Sequence, residues 1–398
     1  MTRTGDGAEG TAGGGQESAR GLVIAIQLRS YSRRAIRVVR PGFARPAGCT
    51  MGAMDQPHHA IEELTPDVAR LRIAFVNVYL VGTPSAAGAT PWALVDAGLA
   101  MGAAQILDVA ARRFGRDSRP AAIVLTHGHF DHVGALEPLL AVWDVPVYAH
   151  TLELPFLTGR ADYPPPDPTV GGGMMARLSP LFPERGINLR DRVHPLPSSG
   201  DVPGMPGWRW FHTPGHAPGH VSLFRESDRL LIAGDAVTTT RQESVFSVLT
   251  QRQELAGPPA YFTIDWDKAR RSVETVASLQ PTLLATGHGQ PMRGDGMPGE
   301  LAELARDFDR RAKPEHGRYV DAPVETDESG VVTLPPRTGS SGVRWGALSG
   351  VAAAAVAGTW LYRRYGRRKT DVLADLGPTP TDTRAPSPPD QASDAEEP

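Results

Sequence analysis

Residues 126–132 read Thr126-His127-Gly128-His129-Phe130-Asp131-His132 and directly follow the apolar run 121–125. This stretch places three imidazoles and one carboxylate at the end of a predicted β-strand. Neutral imidazole and ionised carboxylate bind zinc, iron and manganese as divalent ions. A strand end holds such groups rigidly and leaves one side open. The stretch therefore predicts a metal site, with a histidine-rich polar loop as the alternative.

Three later segments end predicted strands in a similar way. The run 208–212 leads into Thr213-Pro214-Gly215-His216, the run 229–233 into Gly234-Asp235, and the run 282–286 into Gly287-His288-Gly289. A Pro-Gly pair indicates a turn, so His216 is expected just beyond its strand. Because each turn carries one further histidine or aspartate, the sequence predicts a site for two metals.

In this order the motifs resemble those of the metallo-β-lactamase superfamily. The resemblance covers roughly residues 62–314, and residues 95–98, Val-Asp-Ala-Gly, match the family's first motif. It implies an α/β (α+β) fold, a four-layered αββα sandwich with the metals at one edge between two similar halves. An aspartate rather than a cysteine at the position of Asp235 favours the glyoxalase II-like and lactonase-like branches.

The resemblance also implies a set of metal ligands. One metal would be held by His127, His129 and His216, the other by Asp131, His132 and His288, and Asp235 would bridge them. Zinc is the expected metal for both positions, with iron or manganese as alternatives. Two such ions about 3.5–4 Å apart share a water, lower its pKa and polarise the scissile oxygen.

Two aspartates have expected roles beside the metals. Asp131 is the candidate catalytic residue, because it could orient the hydroxide or accept its proton. Asp96 is expected to hydrogen-bond a ligand imidazole and fix its tautomer. The alternative for Asp96 is a capping role at the helix that begins near residue 99.

The substrate pocket is harder to predict. Residues 152–207 are rich in proline and glycine and lack clear periodicity, which predicts an insertion that forms a lid over the metals. His220, Tyr163, Arg241 and Tyr261 are candidate pocket residues. The alternative for His220, Tyr163 and Tyr261 is a packing role without substrate contact, and the alternative for Arg241 is a place in a polar loop.

The composition indicates which classes of binding partner to expect. The formal net charge of −3 gives no support for binding a polyanion over a broad face, so we expect a small-molecule substrate and no nucleic acid. The single cysteine, Cys49, excludes an intrachain disulfide. The oligomeric state is open.

The domain organisation follows from shifts in composition. Residues 1–53 are predicted to be a disordered N-terminal arm, or the product of a start placed too far upstream, and residues 54–318 the hydrolase domain. Residues 319–344 would be a linker, and residues 363–398 a basic, then acidic and proline-rich disordered tail. The uncharged run 345–362 predicts a transmembrane or apolar tail helix. We therefore expect a cytoplasmic protein tethered to the membrane by this helix.

These features predict a dinuclear metal-dependent hydrolase that cleaves a small-molecule thioester, ester or lactone through a metal-bridged hydroxide. A phosphodiesterase or a β-lactam hydrolase on the same site is the alternative enzyme. The non-enzymatic alternative is a membrane-tethered metal-binding module. Structural metal sites are closed and usually have four protein ligands, so an open site would favour catalysis.

Overall fold

Two β-sheets form the centre of the chain in the computed structural model, which describes residues 61–85 and 90–336. The seven-stranded sheet has the order β1-β2-β3-β4-β5-β6-β7, antiparallel from β1 to β4 and parallel from β4 to β7. Its strands are β1 (Ile61–Thr65), β2 (Val68–Ile73), β3 (Val76–Val81), β4 (Ala93–Val95), β5 (Ala122–Val124), β6 (Val147–Ala149) and β7 (Val193–Pro195).

The second sheet has five strands in the order β12-β11-β10-β9-β8, with β10 and β11 parallel and the other pairs antiparallel. These strands are β8 (Trp208–His212), β9 (Val221–Arg225), β10 (Leu230–Ile232), β11 (Leu283–Ala285) and β12 (Met292–Arg293). A separate hairpin joins β13 (Glu325–Asp327) to β14 (Gly330–Thr333).

Nine α-helices accompany the sheets in the described residues. They are α1 (Ala103–Phe114), α2 (Phe130–Val133), α3 (Leu136–Val142), α4 (Leu154–Leu157), α5 (Met174–Leu178), α6 (Val245–Thr250), α7 (Trp266–Ser278), α8 (Met297–Arg306) and α9 (Phe308–Arg311). Short 3-10 turns cover Ala100–Gly102, Thr151–Glu153, Ser179–Leu181 and Arg190–Arg192.

Successive side chains of the central strands alternate between two apolar layers. In β5, Ile123 packs towards α1 and α3, whereas its neighbours Ala122 and Val124 face the second sheet. In β10, Leu231 packs towards α7 and α8, whereas Leu230 and Ile232 face the first sheet. Because side chains alternate across a strand, each sheet is buried on both faces. The result is the predicted order of four layers, helix, sheet, sheet and helix.

Local sequence signals explain two of the helices. Apolar residues at helical spacing in α1 are buried, and Gly115 ends the helix with a φ of 98°. Asp265 caps α7, because its side chain accepts a hydrogen bond from the Lys268 N–H at 2.9 Å. Gly134 lies between α2 and α3, and a Cβ at this position would lie 2.9 Å from the Gly98 carbonyl oxygen.

The predicted insertion contributes helices and a strand to the folded domain, and the first residues of the predicted linker also pack against it. The insertion 152–207 contains α4, α5 and the edge strand β7, which extends the first sheet. Within the predicted linker 319–344, Tyr319 is buried and its hydroxyl donates to the Pro165 carbonyl at 2.6 Å. The Val324 N–H donates to the Ile264 carbonyl at 3.0 Å. Burial of these residues extends the packed domain past residue 318 to at least Val324, within the predicted linker.

The predicted fold class needs one correction. The mixed α/β sandwich is found, but none of the helices in residues 61–85 and 90–336 is long and apolar enough to cross a membrane. The longest, α7, has 13 residues, or about 20 Å against the roughly 30 Å of a bilayer core. The added transmembrane or apolar tail helix is therefore not supported. Its proposed residues, 345–362, lie outside the described part of the chain, as do the arm 1–53 and the tail 363–398.

Candidate metal centre

Seven histidine and aspartate side chains converge where the two sheets meet at one edge. Four follow β5, namely His127, His129, Asp131 and His132, and three follow β8, β10 and β11, namely His216, Asp235 and His288. All are at most 6% exposed. The two halves are also hydrogen-bonded here, because the Asn77 amide donates to the Thr286 and Gly289 carbonyls at 2.8 Å each.

Ligand atoms within this cluster fall into overlapping groups, in each of which they lie within 4.8 Å of one another. The groups are His127, His129 and His216; Asp131, His132 and His288; and His127, His132 and Asp235. His129 Nδ1 lies 3.0 Å from His216 Nε2, and Asp131 Oδ2 lies 3.4 Å from His288 Nε2. The structure thus brings together all seven residues that the sequence predicts as ligands.

Asp235 lies between the groups. Its Oδ2 is 3.1 Å from His288 Nε2, 3.5 Å from His216 Nε2 and 3.7 Å from His132 Nε2. A Cβ at Gly287 would overlap the Asp235 carboxylate and lie 2.8 Å from the His132 ring, so the Gly-His-Gly motif needs glycine at this position. One carboxylate therefore contacts imidazoles from both halves of the site.

Asp96 fixes the tautomers of two imidazoles. Its Oδ2 accepts from His132 Nδ1 at 2.8 Å and from the Thr126 hydroxyl at 2.8 Å, while its Oδ1 accepts from the Thr126 N–H at 2.8 Å. Since the Thr126 hydroxyl proton points to Asp96, its oxygen accepts from His127 Nδ1 at 3.1 Å. Both histidines thus direct Nε2 towards the centre, where this atom can bind a metal in the neutral form of the ring.

The expected hydrogen bond from Asp96 to an imidazole is therefore present. The alternative capping role is absent, because the 3-10 turn Ala100–Gly102 has Leu99 at its N-cap position and no side-chain cap. Asp96 has a φ of 59°, the left-handed region that an aspartate tolerates better than most residues.

The remaining polar atoms fit a metal-binding role. His288 Nδ1 donates to the Phe75 carbonyl at 2.9 Å, which directs its Nε2 towards the centre as well. Within the described part of the chain, the buried Nε2 atoms of His127 and His132 and the buried Oδ1 of Asp235 have no hydrogen-bond partner. Buried polar atoms without partners are costly unless a metal or water satisfies them. The donor set of imidazole and carboxylate suits divalent zinc, iron or manganese.

Electrostatics keeps one group of imidazoles neutral. Burial, reinforced by the neighbouring imidazoles, lowers the pKa of His127 and His216 well below the usual value, and burial lowers the pKa of His129 to about 3. Burial alone would raise the pKa of Asp235, but His288 and His132 outweigh it and hold this pKa well below its usual range. Neutral imidazole and ionised carboxylate are the forms that bind a metal.

The other three residues of the cluster, Asp131, His132 and His288, have raised pKa values. Burial disfavours a charge on His132 and His288, but Asp235 and other carboxylates outweigh it and raise the pKa of both. Burial raises the pKa of Asp131. A metal bound here would displace protons from the imidazoles, so its affinity would rise with pH.

Of the four candidate pocket residues, only Tyr261 lines the pocket above the centre. His220 lies behind Asp235: its Nε2 accepts from the Asp235 N–H at 2.8 Å, and its Nδ1 therefore donates to the Thr213 hydroxyl at 2.9 Å. Tyr163 packs edge-on against the His129 ring, with centroids 4.7 Å apart. Arg241 forms a half-exposed ion pair with Glu254 at 3.3 Å.

The pocket prediction is thus corrected for His220, Tyr163 and Arg241. The motif spacing identifies the loop on which a residue lies, but the turn geometry decides which way its side chain points.

Sequence reasoning missed Glu153, which is fully buried behind His129. Its Oε2 accepts from the Gly128 N–H at 2.9 Å and from the Tyr163 hydroxyl, and its Oε1 accepts from the Gly219 N–H at 2.7 Å. Burial outweighs these donors and raises the pKa of Glu153. A signal was available, because Glu153 is the lone charge in the apolar run 152–157. This carboxyl group joins the loop of the first two histidines to the loop of His216.

Comparison with known proteins agrees with this geometry. A family model described as the metallo-beta-lactamase superfamily matches residues 71–288, more than half of the chain, and this range includes all seven clustered residues. The chain belongs to the metallo-β-lactamase superfamily. Membership, together with the names of its relatives, makes it a metallo-hydrolase of unassigned substrate.

Two relatives within this superfamily come from Bacillus subtilis (strain 168). The protein named probable metallo-hydrolase YflN is 48% identical over 243 residues, covering 61% of this chain and 91% of that protein. The probable metallo-hydrolase YybB is 31% identical over 171 residues, covering 43% of this chain and 65% of that protein.

A solved structure, a di-iron-bound form of TTHA1623, is 27% identical and covers 60% of this chain and 96% of that one, with a TM-score of 0.38.

Proposed function

We propose that this metallo-hydrolase cleaves a small-molecule thioester, ester or lactone at a centre of two divalent metal ions. The observation that carries the proposal is the position of Asp235, whose Oδ2 lies within 3.7 Å of imidazole nitrogens from both halves of the site. Two ions held on either side of this carboxylate would supply a hydroxide nucleophile at neutral pH and polarise the scissile oxygen.

The geometry supports a specific assignment of ligands. His127 Nε2, His129 Nδ1 and His216 Nε2 would hold the first ion, and Asp131, His132 Nε2 and His288 Nε2 would hold the second, with Asp235 contacting both. The nitrogens already turned inward by Asp96 and by the Phe75 carbonyl are the ones assigned here. We propose zinc for both positions, and metal analysis of the purified protein distinguishes it from iron or manganese.

Asp131 has the position for a second task. It is the one carboxylate of the loop 126–132, and it lines the pocket directly beside His288. A carboxylate at the pocket floor can orient the attacking water and accept its proton. The pocket next to these side chains favours catalysis over a structural metal site, because structural metal sites are closed to substrate.

Substitution of Asp235 tests the proposal. Asp235→Ala should reduce bound metal from two ions per chain to one or none, and should lower hydrolysis at least 100-fold. Asp144→Asn is the matched control, because the Asp144 side chain is 87% exposed. Metal content and hydrolysis would be measured on thioester, lactone, β-lactam and phosphodiester substrates. A metal-free protein with full activity would refute the proposal, and a preference for the last two substrate classes would replace it with the alternative enzymes.

A further inference from the structure

Aromatic and apolar side chains form the wall of the pocket above the metal centre. The wall is formed by Phe75, Phe130, Phe182, Tyr261 and Phe262, together with Met175. These residues come from separate segments of the chain, before β3, in the His loop, in the insertion and before α7. Their convergence on one opening is therefore a property of the fold rather than of one apolar run.

The aromatic rings that line the pocket contact one another, beginning at the metal-ligand candidate His129. The Phe262 ring centroid lies 4.8 Å from that of His129, at the floor. The ring centroid of Phe182 lies 6.1 Å from that of Phe262, 6.0 Å from that of Tyr261 and 5.7 Å from that of Phe130. A substrate whose scissile carbonyl reached the metal centre would therefore have these aromatic side chains as its neighbours.

The wall offers no partner for a negative charge. Among the described residues that line the pocket there is no lysine or arginine. Arg241, a candidate pocket residue from the sequence, is paired with Glu254 and is not part of the lining. The charged groups of the lining are the carboxylates and imidazoles of the floor. An anionic group held against the rings would lose its hydration without gaining a counter-charge.

We propose that the substrate carries an uncharged apolar chain or ring next to its scissile carbonyl, and that esters or thioesters with an anionic group there are rejected. The inference rests on the proposed function, since the metals must anchor the carbonyl at the floor. Burial of each methylene against such a wall strengthens binding by up to about fourfold. An anionic group at the same place gains nothing from the rings.

Hydroxamates test the wall separately from turnover, because the hydroxamate group binds the metals and its tail extends along the pocket. The metal-loaded full chain would be titrated calorimetrically with acetohydroxamate, hexanohydroxamate and a hexanohydroxamate that carries a carboxylate on its third carbon, close to the hydroxamate carbonyl. The hexano compound should bind at least tenfold more tightly than acetohydroxamate, and the carboxylated one no more tightly than acetohydroxamate. Equal or tighter binding of the carboxylated compound, or binding of none of the three to protein that holds two metals, would overturn the inference.

Two neighbouring residues give a matched pair of variants. Phe182 lines the pocket, whereas Leu181 is 60% exposed and does not. Phe182→Ala should reduce the ratio of hexano to aceto affinity at least fivefold, and Leu181→Ala should leave it unchanged. Phe182→Arg should raise the affinity for the carboxylated compound. An equal effect of the two alanine variants, each shown to be folded by circular dichroism, would contradict the assignment of the wall.

Turnover distinguishes this inference from the proposed function. Matched acetyl, hexanoyl and carboxylated hexanoyl esters of one phenol would be compared by kcat/KM. Hydrolysis that favours the carboxylated ester would overturn the apolar wall and keep the hydrolase. Tail-dependent hydroxamate binding without metal-dependent hydrolysis of any ester would overturn the hydrolase and keep the apolar wall.

Discussion

Replacing Glu153 by glutamine should loosen the loops that hold one group of imidazoles. The carboxylate accepts from the Gly128 and Gly219 N–H groups at 2.9 and 2.7 Å and from the Tyr163 hydroxyl. In the better of its two orientations, the glutamine side-chain oxygen accepts from the Gly128 N–H and the Tyr163 hydroxyl. The glutamine NH2 group then faces the Gly219 N–H, so two buried hydrogen-bond donors oppose each other.

The size of the effect follows from this single mismatch. A buried group left without its partner costs roughly 1–3 kcal/mol of the free energy of unfolding. For a domain of this size, that corresponds to a fall of roughly 2–12 °C in Tm. Since Gly128 precedes His129 and Gly219 follows His216, metal affinity should also fall, by roughly 10-fold or more, as for other residues that orient ligands.

Thermal unfolding of the metal-free protein and competition with a chelator would measure the two effects. Tyr163→Phe removes one donor and keeps both backbone bonds, so its effect should be smaller than that of Glu153→Gln. Glu137→Gln, at an exposed position in α3, should change stability by no more than about 0.5 kcal/mol. A Glu153→Gln protein with wild-type Tm and metal affinity would refute the reasoning.

Three further outcomes are expected. Asp96→Asn should lower metal affinity by roughly 10- to 100-fold, because an amide cannot accept all of its hydrogen bonds; chelator competition measures this, and unchanged affinity would contradict it. His220→Phe should leave the buried Asp235 N–H without an acceptor and cost roughly 1–3 kcal/mol in urea unfolding, whereas His220→Gln should recover part of the loss; a Phe variant as stable as the wild type would argue against the bond. Burial and the stacked ring of His212 lower the pKa of His150 to about 4, below its unfolded value of 6.5. The unfolded chain therefore takes up this proton first, and stability falls as the pH drops from about 6.5 towards 4. His150→Asn keeps the cap on the Leu152 N–H and should flatten this dependence in unfolding curves measured between the two pH values; parallel curves would count against it.

Features that depend on local chemistry could be predicted from the sequence. The strand that ends at the His loop and the cap at Asp265 each follow from residues close together in the chain. The order of the ligand motifs, through the resemblance they carry, identified the cluster of seven side chains.

Features that depend on distant contacts could not be predicted. Glu153 meets Gly219 across 66 positions of sequence, and no local pattern specifies that contact. His220 faces the Asp235 backbone rather than the pocket because of the way two turns meet. The edge strand β7 has three residues, too few for a periodic signal, and it forms by pairing with β6. In each case tertiary packing decided what the local sequence left open.

The division of the seven clustered side chains between the two halves has a consequence for assembly. The segment before the exposed serines 198 and 199 carries four of them, and the segment after carries three. A chain cut at that turn would give two fragments, neither with a complete set for either ion. A bound metal would then join the two fragments, and reconstitution of the split protein would depend on the metal concentration. In the intact chain, metal binding would then also strengthen the association of the two halves.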